Sequence, residues 1–423
     1  QIVDQKGTPA VDPETGFFRD TTNSWWGLRA DGTDADDGQR VDSGGAREEL
    51  AFRTIPRKLL VTVPGTASLR LVDGLEDITP AQIGMDATLY PDPAVLKAEM
   101  QDRLDMLLLK GWADPLHTEP RLVNYGFSGD IADAAMDTSL QDNTVFVSTN
   151  GGMLHAINPK DGSELFSIMP AEELSKTEKR YQSEKLNAAD PQRSTYGLDG
   201  GITVWRRGGA DGKPDHVYLY AGQRRGGRGY YAMDVTNRSA PSLLWQINGG
   251  SGDFASLAQT WSQPTFAQIM RGGVKTPVLV FGGGYSAADH DSAASFSSTG
   301  DVAGNAIFVV NAKTGALIKK FSTGDNGDMK WSIASSVSVV DIDFNGTADF
   351  LYAADLAGQV FRVDLDRAPD ATDSLATARV ATVAKLGRAA AGGAESQRRF
   401  YAAPTIAMSR RDGENVLQVL LGS

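Results

Sequence analysis

The stretch VFVSTNGGMLHAINPKDGSELFSI, residues 145–168, contains the unit that much of the chain repeats. Two apolar runs, VFVS and MLHAI, flank a Gly-Gly turn, and a second turn at Asp161-Gly162 leads into a third run. Short β-branched and aromatic runs bounded by glycine turns predict antiparallel strands joined by hairpins. The stretch therefore predicts a small antiparallel sheet.

Similar strand cores recur along the chain at intervals of roughly sixty to seventy-five residues. They are VFVSTNGG (145–152), VYLYAGQ (217–223), VLVFGGG (278–284), FLYAAD (350–355) and LQVLLGS (417–423). The first four are each followed by a second strand that ends in a polar residue: MLHAIN, YYAMD, IFVVN and VFRVD. Repeated multi-strand units predict the blades of a β-propeller. A row of β-sandwiches, the alternative, would lack this period. The predicted fold class is mainly β, a β-propeller with helical and loop insertions.

The remaining segments are interpreted around this repeat. Residues 1–50 are polar and predict a linker or docking strap, and residues 51–423 are assigned to the propeller. RKLLVTVPGTASLRLVD (57–73) predicts a hairpin at its Pro-Gly turn. Apolar residues at helical spacing, from Val95 to Leu108, predict a helix over Pro93–Trp112 that Gly111 ends. Residues 169–194 predict an exposed insertion or marginal helix, and residues 285–305 predict a loop.

Composition limits the function classes. The 423 residues carry a formal net charge of −12 with a pI of about 4.9, which argues against a nucleic-acid partner. The chain has no cysteine, which excludes disulfides and thiolate chemistry. No apolar run is long enough to predict a membrane span. Because the chain begins QIVDQKG and ends just after an apolar run, we expect a mature or excised fragment of a longer extracytoplasmic protein.

The segment DIDFNGTAD, residues 341–349, is the candidate metal site. Side-chain oxygens of Asp341, Asp343, Asn345 and Asp349, with the backbone carbonyl of Thr347, form a set that suits one Ca²⁺. It is not an EF-hand, because Tyr352 stands where a bidentate glutamate is expected and strands flank it. The competing interpretation is a polar hairpin turn. However, three acids in nine residues repel one another without a cation.

Other polar motifs carry weaker signals. GQRRGGRGYY (222–231) lacks the strand-to-helix context of a phosphate loop and predicts an inner turn whose arginines pair with acids. The segment around Asp211 and Asp215 matches the acidic loop in position, but lacks its ligands and predicts a metal-free turn near Lys213. Asp289-His290-Asp291 is assigned to a flexible loop. The four histidines show no metal-ligand spacing, and no catalytic motif is present.

Several phrases, in order from about residue 110 to the end, resemble one family. They are ADPLHTEPRLVNYG (113–126), VFVSTNGGMLHAINPKDGSELFSIMP (145–170), GLDGGITV (197–204), GGRGYYAMDVTN (226–237), APSLLWQI (240–247) and SVSVVDIDFNGTADFLYAADLAGQVFRVDL (336–365). Together they resemble the C-terminal domain of the PilY/PilC-type type IV pilus biogenesis proteins, the pilus-tip adhesins. The resemblance implies that the propeller is a modified β-propeller with quinoprotein-like blades. The first hundred residues match this family less sharply.

The resemblance implies a non-enzymatic, calcium-dependent protein of the pilus tip and cell surface that transits the periplasm. It would support pilus assembly, oppose retraction, and mediate attachment and twitching motility. The family's calcium loop maps onto Asp341, Asp343, Asn345, Thr347 and Asp349. Implied partners are minor pilins and a host or abiotic surface ligand; without an RGD sequence, integrin binding is not carried over. The alternatives are a quinoprotein-type dehydrogenase, disfavoured by the missing vicinal cysteines and blade tryptophans, and a plain scaffold propeller.

Overall fold

The fold is described from a computed structural model of the 423-residue chain. The structure describes residues 2–4, 6–24, 26, 38, 44–51, 53, 55–109, 112–129, 132–133, 137–185, 195–209, 212–291, 299–368, 370–387, 398–411 and 414–422. Within the predicted strap, residues 1–50, most of the positions from 25 to 43 lie outside the described residues. The predicted domain boundary near residue 50 therefore stays a prediction. No helix in the described part of the chain has both the length and the apolar character needed to cross a bilayer.

Four sheets carry the predicted repeat, three of them antiparallel and the first mixed, and a hairpin follows them. The first sheet contains β1 (Leu59–Thr62), β2 (Leu69–Val72), β3 (Arg121–Phe127), β4 (Gln141–Ser148), β5 (Leu154–Ile157) and β6 (Glu164–Met169). The second contains β7 (Ile202–Gly208), β8 (Pro214–Gly222), β9 (Gly229–Asp234) and β10 (Ser242–Asn248). The third contains β11 (Thr265–Arg271), β12 (Val274–Gly282), β13 (Ile307–Asn311) and β14 (Leu317–Phe321). The fourth contains β15 (Ser338–Val340), β16 (Phe350–Ala354), β17 (Gln359–Asp364) and β18 (Arg379–Lys385), and the hairpin pairs β19 (Thr405–Arg411) with β20 (Glu414–Leu420).

The strand order explains the sequence period. Each predicted strand core contributes to the second strand of a repeat, namely β4, β8, β12, β16 and β20. In the second, third and fourth sheets the strands pair in sequence order, which is the meander of a propeller blade. Strand β16 is buried along its whole length, as expected for a central strand whose two faces are both covered.

The first sheet is larger than the sequence predicts. The hairpin of β1 and β2 forms as predicted, but β1 also pairs in parallel with β6, with Leu60 opposite Ile168. This pairing joins segments about a hundred residues apart, which no local pattern encodes. The predicted blade therefore gains two outer strands.

Five α-helices are described: α1 (Gly45–Ala51), α2 (Pro93–Leu108), α3 (Ala171–Leu174), α4 (Thr177–Lys185) and α5 (Ala287–His290). Helix α2 is the predicted long helix; the Asp92 side chain caps its first turn and Pro93 occupies the first helical position. It ends at Leu108 rather than Trp112, and Val95 of the predicted core stripe is 47% exposed. Residue 111 lies outside the described residues. Helix α5 corrects part of the predicted loop at 285–305.

The chain divides into two compact units, residues 1–198 with 207–215, and residues 199–206 with 216–423. In the first unit, Leu104 and Leu107 of α2 pack with Leu59, Val61 and other apolar side chains of the first sheet. In the second unit, one core joins the third and fourth sheets, and another joins aromatic side chains of the second and third.

Two tryptophans dock on equivalent turns. The Trp245 indole nitrogen donates to the Ala312 carbonyl (2.9 Å), and the Trp26 indole nitrogen donates to the Pro159 carbonyl (3.0 Å). Each ring covers a glycine three residues beyond its acceptor, Gly315 or Gly162, with φ near +70°; a Cβ there would lie 2.8 Å from the ring. The Trp26 contact agrees with the docking strap that the sequence predicts for residues 1–50. The turns that Trp26 and Trp245 cover were not predictable, because each tryptophan lies outside the hairpin that it covers.

We expect Trp245→Ala to lower the free energy of unfolding by about 3 kcal/mol, the usual cost of truncating a large buried aromatic side chain. Trp26→Ala should cost less, because Trp26 is only half-buried, but should expose the N-terminal segment to protease. Urea denaturation followed by far-UV circular dichroism, with limited proteolysis, measures both effects. If protease cleaved the N-terminal segment of Trp26→Ala at the wild-type rate, the result would contradict the docking role of Trp26.

Candidate metal site

The acidic segment 341–349 connects β15 to β16 at one end of the fourth sheet. These strands pair antiparallel, with Val340 opposite Phe350, and the Asp349 amide donates to the Val340 carbonyl (2.8 Å). The predicted position between two strands is therefore confirmed. Asp341 and Asp349, eight residues apart in sequence, lie at the two ends of one hairpin loop.

The loop brings its three carboxylates together. One oxygen each from Asp341, Asp343 and Asp349 lies within 4.8 Å of the others. Asp349 is 1% exposed, Asp341 is half-buried and Asp343 is exposed, so the cluster runs from the interior to the surface. Spacing of this kind lets several oxygens contact a single cation.

Backbone amides hold each carboxylate in place. The amides of Ile342, Asn345 and Gly346 donate to the carboxylates of Asp349 (2.7 Å), Asp343 (3.0 Å) and Asp341 (2.8 Å), respectively. Asp341 Oδ1, by contrast, is buried and has no hydrogen-bond partner among the described residues. A buried carboxylate oxygen without a donor is costly, and a bound cation would remove that cost.

The other two predicted ligands are placed differently. The Asn345 side-chain oxygen accepts from the Thr347 amide (2.7 Å), while its amide nitrogen donates to Asp343 Oδ2 (2.9 Å). Asn345 therefore presents a donor to the carboxylates, and only a half-turn of the amide would present its oxygen. Thr347 is buried at the end of the loop. The structure thus brings the three aspartates together, and Asn345 and Thr347 lie beside them.

The electrostatics favour a cation. The ammonium of Lys275, near the start of β12, donates to the Asn345 backbone carbonyl. Three carboxylates and this one ammonium leave a formal charge of −2, which a divalent ion balances. The all-oxygen donor set is the kind that a hard ion such as Ca²⁺ prefers. These residues therefore fit Ca²⁺.

A second group of acids, Asp73, Glu76 and Asp77, is also close enough to hold an ion. Asp73 and Glu76 are exposed, and Asp77 already accepts from the amides of Asp73 and Gly74, both at 3.0 Å. The Asp77 carboxylate therefore caps a short turn, which explains this group without a metal ion.

The remaining sequence candidates have structural roles. Arg224 pairs with the buried Asp199 (3.4 Å) and stacks on Trp261, which agrees with the predicted arginine turn. His290 is not in a flexible loop as predicted; it lies at the end of α5, is buried, and contacts Asp301 (2.8 Å). Asp215 is exposed, 3.7 Å from Arg207, and Asp211 lies outside the described residues.

Sequence reasoning missed a buried ionic network in the first sheet. Glu164 contacts His155 (2.6 Å), Arg53 (3.1 Å) and Arg57 (3.4 Å), and the side chains of Glu164, His155 and Arg57 are fully buried. His155 Nε2 also lies 3.1 Å from the Thr149 hydroxyl. Burial is the largest influence on His155 and lowers its pKa, which favours a neutral ring that donates to Glu164. A histidine and a glutamate nine residues apart give no sequence signal of such a pair.

The fold and the site together define a class: a β-propeller protein with an acidic hairpin loop suited to a cation. Residues 122–418 match the model of the PilY1 beta-propeller domain family, and this chain belongs to that family. Its fold class is therefore the modified β-propeller that the sequence predicts.

The chain is also similar to individual proteins and to a solved structure. The chain is 30% identical over 245 residues to the type IV pilus biogenesis factor PilY1 of Pseudomonas aeruginosa UCBPP-PA14, covering 56% of this chain and 18% of that protein. It is 28% identical over 237 residues to a PilY1 homolog of Xylella fastidiosa, covering 52% and 14%. The crystal structure of the P. aeruginosa PilY1 C-terminal domain matches 70% of this chain and 56% of that one, with 25% identity and a TM-score of 0.46. The chain thus spans less than a fifth of the length of the P. aeruginosa UCBPP-PA14 and X. fastidiosa proteins.

Proposed function

We propose that this chain is a calcium-binding, non-enzymatic propeller domain that acts in type IV pilus biogenesis at the pilus tip. There it would support assembly, oppose retraction, and contribute to surface attachment and twitching motility, with minor pilins and a host or abiotic surface ligand as partners. The observation that carries the proposal is the convergence of Asp341, Asp343 and Asp349 around an unpartnered buried oxygen, in a chain of the PilY1 family.

The three aspartates would hold the ion, with Asn345 and the Thr347 carbonyl as further oxygen donors. Bound Ca²⁺ supplies two positive charges and no redox or acid–base chemistry. The carboxylates of Asp341 and Asp349 lie at the ends of β15 and β16, so sharing one ion would tie these strands together. Because backbone amides already orient the carboxylates, this arrangement favours a clamp that stabilises the hairpin over a switch that reshapes it.

Isothermal titration calorimetry of the 423-residue chain tests the calcium site. We expect one Ca²⁺ per chain with a dissociation constant of about 10⁻⁶ to 10⁻³ M, the range for sensor and extracellular sites. Mg²⁺ should bind more weakly, because it demands a tighter octahedral cage. If titration with millimolar Ca²⁺ produced no heat of binding, the result would contradict the proposed calcium site.

The pilus role needs a separate measurement in cells. A strain whose chromosomal copy carries Asp341→Asn should show fewer surface pili and a smaller twitching zone than its parent. Normal piliation and motility in this strain, together with lost calcium binding by the purified variant, would mean that the ion has no part in pilus function.

A further inference from the structure

Phe344, in the middle of the acidic loop, combines two features that are unfavourable in the free protein. Its side chain is 80% exposed, more than any other large apolar side chain that the structure describes. Its φ is +58°, and within the described residues only Arg224 shares a positive φ without being glycine. A bulky residue in this left-handed region is a conformational outlier that glycine or asparagine would relieve.

Neither feature contributes to folding. An exposed phenyl ring removes no apolar surface from water, and the backbone conformation adds strain. Where the loop needs a positive φ two residues later, it has Gly346, at +84°. A strained residue that stays exposed is expected to gain its compensating contacts in a complex.

A second apolar side chain lies on the neighbouring loop. Val274, the first residue of β12 and next to its turn with β11, is 65% exposed, and the adjacent Lys275 donates to the Asn345 carbonyl. A further bond joins Ala348 to the Gln268 carbonyl in β11 (2.8 Å). The two loops are therefore connected, and they present Phe344 and Val274 at the same end of the third and fourth sheets.

We propose that Phe344, supported by Val274, is the anchor through which this domain docks on a pilus-associated protein. Exposed aromatic side chains of this kind become interface hot spots when a partner pocket encloses them. The partner surface would offer an apolar pocket for the phenyl ring, rimmed by polar groups that pair with the exposed side chains of Asp343 and Asn345. This proposal rests on the proposed function in type IV pilus biogenesis.

A protein pocket fits this tip better than a lipid surface does. Membrane-docking elements combine a broad apolar face with many cations, whereas this tip has two apolar side chains and, even with Ca²⁺ bound, no excess of positive charge. Its occupant is therefore assigned as protein.

The docking contact would also depend on calcium. Phe344 lies between Asp343 and Asn345, so the residues that set its backbone conformation are those proposed to hold the ion. Ca²⁺ would hold Phe344 in its exposed position and reduce the loop's negative charge. Removal of calcium should weaken docking without any change at Phe344 itself.

Because the protein is proposed to support assembly, the test uses pili sheared from the parent strain. They are incubated with an affinity-tagged form of the 423-residue chain and sedimented, and the tag distinguishes the added chain from the native copy. Phe344→Asn is the test variant, because asparagine tolerates the left-handed region, and Val302→Ser is the control, because Val302 is 78% exposed elsewhere. Phe344→Asn should bind pili at least about tenfold more weakly, as expected for a hot-spot residue. Val302→Ser should bind like wild type, and EGTA should weaken wild-type binding.

Two further measurements separate docking from folding and from the metal site. Phe344→Asn should resist urea at least as well as wild type and retain calcium affinity by calorimetry. The proposal is overturned if wild type fails to sediment with pili, if Phe344→Asn binds them normally, or if the variant loses calcium affinity. Binding to phosphatidylcholine–phosphatidylglycerol vesicles that requires Phe344, without binding to pili, would also overturn it in favour of a membrane contact. Calorimetry measures calcium binding by the wild-type chain without pili. A failure of the proposed metal site can therefore be distinguished from a failure of the proposed docking contact.

Discussion

Asp341→Asn is expected to weaken calcium binding by about a hundredfold or more, since changes to groups that merely support a metal ligand already cost ten- to a hundredfold. The substitution removes one of three converging carboxylates and leaves an amide beside the ion. The fold should survive, because the amide oxygen can still accept from the Gly346 backbone amide. Asp349→Asn should behave similarly. Calorimetric titration with Ca²⁺ measures the change.

The matched control is Asp215→Asn, which removes the same charge from an exposed carboxylate on the β7–β8 hairpin. Its calcium affinity should equal that of wild type. Equal loss in the control would indicate a general charge effect, and unchanged affinity in Asp341→Asn would show that the ion, if bound, lies elsewhere.

Glu164→Gln should have an effect on stability as large as that of Trp245→Ala. This change should lower the free energy of unfolding by about 3 kcal/mol, because it leaves the buried Arg57 without its compensating charge. Urea denaturation at pH 7 measures the loss. Glu119→Gln is the control; Glu119 is 79% exposed and pairs with Arg121, so it should cost about 1 kcal/mol or less.

The pH dependence gives an independent check on this network. Burial alone would raise the pKa of Glu164, but His155 and the two arginines lower it from 4.5 to about 2. A carboxyl whose pKa is depressed on folding stabilises the protein above its unfolded value and loses that contribution as the pH falls. Wild type should therefore lose stability between about pH 5 and pH 2, and Glu164→Gln should lose less over this interval. Parallel curves for the two proteins would contradict the network.

The agreement between sequence and structure depends on the range of the interactions. Strand cores such as VLVFGGG were predictable because apolar runs between glycine turns encode strands locally, and their period showed the repeat. Helix α2 was predictable from its apolar spacing and its Asp-Pro start, although its last turn was not, because helix ends depend on local capping and packing. The acidic loop was recognisable because its three carboxylates are within nine residues.

The sequence by itself determined the repeating strands, the hairpin position of Asp341–Asp349 and the oxygen-rich composition of the loop. Only the tertiary structure decided which segments meet: β1 beside β6, Trp26 on Gly162, and Arg57 beside Glu164. It also decided that Asp341 keeps a buried oxygen without a donor and that Phe344 stays exposed at a positive φ. The physical reason is that apolar periodicity specifies an element and its buried face. Its neighbours, by contrast, are selected by packing and charge compensation between residues far apart in the chain.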